Sequence, residues 1–169
     1  MSALLALSLF ALSESNLADG AIKTNVAENS ELRPKKSLHQ AQYQPVQQLF
    51  DGMREHNAEK IANAFAKDAT LVRARQNGLL KMTDIPQFAS SIAKRKKDYM
   101  DEQIINYRIE TFGNMANIWT YFVFYFNGKI SHCGVNSIHV IQQNSDWKIA
   151  HLMDTAHQGS CEEFIAQHQ

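Results

Sequence analysis

A few polar groups set in apolar, strand-like runs are the residues of this chain that could do chemistry. His139 carries an imidazole, which titrates near neutrality and can give or take a proton. Asp154 supplies a carboxylate, and Arg73 a permanent cation that either pairs with Asp154 or receives an anionic ligand. His139 with Asp154 would suit acid/base work of the dehydratase or isomerase kind. No metal or cofactor is expected, because no His-x-x-x-His, Cys-x-x-Cys or His-x-His spacing occurs, and the adjacent His132 and Cys133 point to opposite sides of a strand. Cys133 is either a core thiol or one half of a disulfide with Cys161.

The rest of the composition is that of a globular domain. Lys and Arg number 17, Asp and Glu also 17, so the formal charge is zero and a nucleic-acid surface spread over the chain is disfavoured. No apolar run is long enough to span a membrane. Ala3 to Leu12 is an apolar run of secretory length, and Ala11-Leu12-Ser13 offers a small-x-small cleavage site, so residues 1–13 read as a signal peptide and the product as periplasmic or secreted. The alternatives are a frayed N-terminal helix or an uncleaved anchor, with a cytoplasmic location in place of export. Residues 14–42 are polar and non-periodic and read as a flexible leader, which leaves 43–169 as one folded domain.

Periodicity places the elements. Val46, Leu49, Phe50 and Met53 form one helical stripe on a helix opening just after Pro45 and ending near His56. Asn57 caps a short second helix bearing Ile61, Ala64 and Phe65, and Thr83 caps a third over 84–94 with Ile85, Phe88, Ala89 and Ile92 inward. Between them 69–75 alternates as a strand, followed by a turn at Asn77-Gly78. Beyond the third helix the period drops to 2 through 104–112, 115–126, 129–142 and 147–155. The fold class expected is α+β: three N-terminal helices on a mostly antiparallel sheet.

The Asn127-Gly128 turn sets a register, which continues into the last strand if Asn144-Ser145 is also a two-residue loop. With Phe126 opposite Lys129 and no interruption, Phe122, Cys133, Val135, Ser137, His139, Leu152 and Asp154 share one face. Trp119, Tyr121, Tyr125, His132, Ile138, Trp147 and His151 share the other. Both faces are largely apolar. Helices can cover only one, so a second subunit is expected on the other. Lys94 to Lys97 reads as cations favoured at a helix C-terminus, and the aromatic series Trp119, Tyr121 and Tyr125 as packing, with no basic residues interleaved for nucleic acid.

In order and spacing, Pro45–Asn57 followed by a helix, Ala64–Arg73 and the terminal Trp147–Thr155 strand make the chain similar to the nuclear-transport-factor-2-like superfamily, with its ketosteroid-isomerase, SnoaL-like and lumazine-binding-like branches. The resemblance implies a strongly curved sheet forming a conical pocket beneath the helices, as in cystatin-like folds, with the convex face free for a homodimer. Carried over from the isomerase branch, the base position falls on Arg73, the helix phenol on Leu49 or Phe50, and the third oxyanion donor on Ser137. None preserves that chemistry. The resemblance also turns the face of Phe122, Cys133, Val135, Ser137, His139, Leu152 and Asp154 inward, joined by Arg73. The expectation is an exported dimer binding a small, partly apolar molecule, neutral or anionic. The alternatives are an acid/base lyase or isomerase, or an interaction module with a vestigial cone.

Overall fold

The computed structural model describes residues 40–169. The signal peptide read at 1–13 lies outside the described residues, as does the leader except for its last three residues, which are helical. Helix α1 (Gln40–Arg54) contains Pro45 rather than starting after it. The proline removes one backbone bond near the start of the described helix, and its ring is fully buried. The stripe Val46, Leu49, Phe50 and Met53 is buried as its spacing requires. At the end of α1 the Arg54 guanidinium donates to Asp101 (2.8 Å), a buried carboxylate on the first long strand of the meander, which ties α1 to the sheet.

Asn57 caps α2 (Ala58–Asn63) by accepting from the Lys60 amide. The strand β1 (Phe65–Ala74) starts four residues earlier than the alternation suggested, and β2 (Leu80–Thr83) pairs back onto it. That second strand carries no periodic signal, and its first three residues are exposed. Asp84, not Thr83, caps α3 (Ile85–Ala93), with Pro86 in the first turn, where a missing N–H costs nothing. The four long strands follow: β3 (Met100–Phe112), β4 (Met115–Phe126), β5 (Lys129–Gln143) and β6 (Asp146–Ala156). A short α4 (Cys161–His168) closes the chain, an element with too little periodicity to be read from sequence.

The strands form a curved, unclosed sheet in the order β2-β1-β6-β5-β4-β3, antiparallel except where β1 runs parallel to β6. The three helices α1–α3 lie on its inner face, where Ile118, Ile138, Val140, Ile149 and Leu152 meet Val46, Leu49, Phe50 and Ile61 in the main core. This is the expected α+β architecture with one extra helix, α4, and one extra short strand, β2. Two of the two-residue turns, Asn127-Gly128 and Asn144-Ser145, have all four residues at positive φ as the type I′ hairpin demands. No helix among the described residues is long and apolar enough to cross a membrane.

The uninterrupted register fails in two places. Tyr125 pairs with Ile130 but Phe124 pairs with His132, so Ser131 is an extra residue in β5. Likewise Val140 pairs with Ile149 while His139 pairs with His151, so Ala150 is extra in β6. Each bulge exchanges the faces beyond it. Cys133, Val135, Ser137 and His139 therefore turn to the outer face, while His132, Ile138 and Trp147 turn inward.

Gly134 lies between the bulge and Asn136, where β5 and β6 approach closely. A Cβ there would sit 2.0 Å from the Thr155 carbonyl oxygen. Gly134→Ala should lower stability by about 3 kcal/mol, the upper end of overpacking costs, because a backbone atom must move. Urea denaturation checks this, with a fall in the midpoint and an unchanged slope expected.

Candidate functional site

Between α1, α3, β2 and the inner sheet face lies a cavity of about 720 Å³. Its apolar wall comes from Leu49, Phe50 and Met53 of α1, Phe88 and Ile92 of α3, and Met100, Phe124, Phe126 and Leu152 of the sheet. Polar groups reach it from neighbouring strands: Arg73, Glu102, His132, Asn136 and Asp154, with Lys81, Asp84 and Arg95 nearer the helix and hairpin side. A few polar groups on an apolar wall in a cavity of this size are the composition of small-molecule sites.

Glu102 is the centre of the polar group. Asn136, itself buried, donates from Nδ2 to Glu102 Oε1 (2.9 Å) and to Thr120 Oγ1 (3.1 Å). Burial penalises the ionised carboxylate and pushes its pKa up to about 7, with Asp154 and Asp101 adding repulsion. The Asn136 hydrogen bond and the Arg73 charge oppose that rise. Glu102 is thus a carboxyl poised between its neutral and charged forms at neutral pH.

Arg73 and Asp154 are register partners on β1 and β6, and they form an ion pair in which Arg73 Nε donates to Asp154 Oδ2 at 2.7 Å. The carboxylate is buried and the guanidinium about half exposed, so the pair is partly screened. It is closed within the protein and leaves Arg73 little free charge for an anionic ligand. His132 sits beside it, its ring edge-on to Phe122 at 5.8 Å between centroids. Burial lowers its pKa first and the Arg73 charge further, while Asp154 opposes, so the imidazole stays neutral at pH 7.

Of the residues read as pocket lining, Arg73, Leu152 and Asp154 line the cavity, and Phe122 lies buried on the same face. Leu152 and Asp154 come out on the inner side because the bulges at Ser131 and Ala150 cancel along β6. Cys133, Val135, Ser137 and His139 do not reach the cavity, since only the first bulge acts on them. His139 as an acid/base partner of Asp154 is corrected accordingly: it is exposed and pairs with His151 across the outer face, ring centroids 5.6 Å apart. Of the residues read as dimer face, Trp119, Tyr121, Tyr125 and His151 are on the outer face. His132, Ile138 and Trp147 are not.

Sequence reasoning missed Glu102 and Asn136. Glu102 lies in the first residues of β3, before any visible alternation, and its partner is 34 positions away. The available signal was a carboxylate two residues before the Ile104 start of that run, on the parity that faces the helices. Among the described residues no group of three or more His, Cys, Asp or Glu side chains gathers to hold a metal.

A structure from Novosphingobium aromaticivorans titled "Putative Scytalone Dehydratase" aligns with a TM-score of 0.58 at 11% identity, covering 72% of this chain and 85% of that one. An NTF2-like protein of unknown function from Shewanella baltica aligns at 0.55 with 12% identity, over 73% and 96%. A cystatin-like domain from Nostoc punctiforme aligns at 0.57 with 15% identity, over 79% and 86%. At such identities the likeness is one of fold. No curated protein matches the chain. Residues 38–153 match the family described as "Putative lumazine-binding", a span that takes in the cavity-lining residues except Asp154. The chain belongs to that family, within the nuclear-transport-factor-2-like superfamily.

Proposed function

We propose that the cavity binds a small, planar, partly apolar molecule with an uncharged polar edge, of the class that lumazine exemplifies. The observation that carries this is Glu102, a carboxyl half-protonated near neutrality and oriented by Asn136 inside an apolar wall. A protonated carboxyl presents a donor and an acceptor side by side, which complements the alternating N–H and C=O edge of a pteridinedione. Phe124 and Phe126 offer flat apolar surface to its rings. The Arg73–Asp154 pair favours a neutral ligand over an anion, because Arg73 already has its counter-charge.

Calorimetric titration with lumazine tests this reading. One saturable site is expected, its affinity falling as pH rises through about 7, because ionised Glu102 loses its O–H donor and repels the ligand carbonyls. Glu102→Gln should retain binding and remove that pH dependence. No heat of binding from folded protein with lumazine at millimolar concentration would defeat the proposal.

A second reading is favoured by the same titration. A carboxyl with pKa near the operating pH is suited to general acid or base work, with neutral His132 close by as a second proton carrier. This is the lyase or isomerase alternative, with Glu102 in the place first considered for His139. For a hydroxylated or ketonic substrate found by screening, Glu102→Gln should lower kcat about 10²–10⁴-fold with little change in KM. An unchanged kcat would remove the assignment.

We further propose that the protein is exported and dimeric. The Cys133–Cys161 disulfide is of a kind that persists in oxidising compartments, which supports the reading of 1–13 as a signal. The part of the outer face carrying Trp119, Met115 and the His139–His151 pair is uncovered and partly apolar, which supports a sheet-to-sheet dimer there. A mature chain beginning at Glu14 and sedimenting as a dimer, reduced to a monomer by Trp119→Glu, is the expected outcome. A cytoplasmic monomer starting at Met1 would refute both.

A further inference from the structure

The outer sheet face has a second, smaller core, separate from the cavity. Val123 and Cys133, both buried, lie under Phe164 of α4, with Tyr121, Tyr125, Val135 and Ile165 around them. α4 is only eight residues long and buries one side chain fully, Phe164. An isolated helix of this length is marginal in water, so local propensity does not hold it in place. Two aromatic contacts help: His168 stacks on Tyr121 at 4.0 Å between centroids, and His157 lies tilted against Phe164 at 4.9 Å. The covalent tie is the Cys133–Cys161 disulfide, which spans Cα atoms 5.7 Å apart and closes a loop of 28 residues.

The two sulfurs are not equally reachable. Cys133 is fully buried, whereas Cys161 at the first turn of α4 is half-buried. The connecting segment His157–Ser160 is exposed, and its one backbone tie to the sheet is the His157 amide donating to the Cys133 carbonyl at 2.8 Å. The helix is therefore a strap hinged at 157–160 and latched through Cys161, the more exposed of the two cysteines. The sheet beneath it does not depend on the latch, since β4, β5 and β6 are paired along their full lengths and packed on their inner face by the main core.

We propose that the Cys133–Cys161 bridge is a redox latch, whose opening by a dithiol reductant releases α4 and uncovers the apolar patch of Tyr121, Val123, Tyr125 and Val135 while the cone stays folded. A thiolate of the reductant attacks Cys161 Sγ and forms a mixed disulfide, and the Cys133 thiolate leaves and takes a proton. The second thiol of the reductant then displaces Cys161 as a thiol and closes the reductant's own disulfide. Two electrons pass from reductant to protein. In an oxidising compartment the strap stays closed, and in a dithiol-rich one it opens.

Amide hydrogen exchange on the full chain, with and without dithiothreitol, tests the latch. Reduction should speed exchange across 161–168 at least tenfold and leave β4–β6 protected. A glutamate-specific protease should cut after Glu162 and Glu163 at least tenfold faster, and anilinonaphthalene sulfonate fluorescence should rise. The double variant Cys133→Ala with Cys161→Ala should behave as the reduced protein. Two outcomes overturn the proposal: unchanged exchange in α4 after reduction confirmed by thiol alkylation, or loss of protection in the strands together with α4. The first would mean packing alone holds the strap, the second that the bridge is a staple for the whole domain.

Discussion

Side chains along a strand alternate between the two faces of a sheet, and a paired strand changes which residues face inward only by gaining or losing a residue against its neighbour. β5 gains one at Ser131, and β6 gains one at Ala150. Between these points the inner face carries His132, Asn136, Ile138 and Val140, and beyond the second it carries Leu152 and Asp154. Every other property of the cavity follows from that assignment. Without the bulges Asn136 would point away from Glu102, and Cys133 would face the cavity instead of the strap.

The polar groups of the cavity hold each other in a definite state. Asn136 orients Glu102 and satisfies Thr120, both next to apolar side chains that exclude water. Arg73 closes on Asp154 from a parallel neighbour strand, which removes the cost of a lone internal charge. His132 stays neutral because a burial penalty and a nearby guanidinium act in the same direction. The result is a cavity whose mean charge is low and in which the Glu102 carboxyl titrates near neutrality. Such a site discriminates by hydrogen-bond pattern and shape rather than by net charge.

The two faces of the sheet do different work. The inner one supports the main core and the cavity, while the outer one is divided between the strap of α4 and an uncovered area around Trp119. Gly134 lets β5 and β6 approach closely enough for both arrangements, since it lies between Cys133, which anchors the strap, and Val135 and Asn136, which face opposite ways.

By itself the sequence determined the elements whose signals are local. The helical stripe of α1, the Asn57 cap, the bounds of β4 and the two positive-φ hairpins were legible, because each depends on spacing or a turn residue within a few positions. From their order came the α+β class and the superfamily. Arg73, Leu152 and Asp154 line the cavity, the last two because a pair of one-residue slips cancelled. Only the tertiary structure decided the remainder. A bulge has no dependable sequence mark, yet it swaps whole faces, so His139 and Ser137 left the cavity while His132 and Asn136 entered it. Glu102 acquired its raised pKa chiefly from burial, with repulsion from Asp154 on a distant strand and from the adjacent Asp101, and α4 gained its place through a disulfide and one phenylalanine. Those are contacts between distant segments, and their energies exist only once the chain has closed on itself.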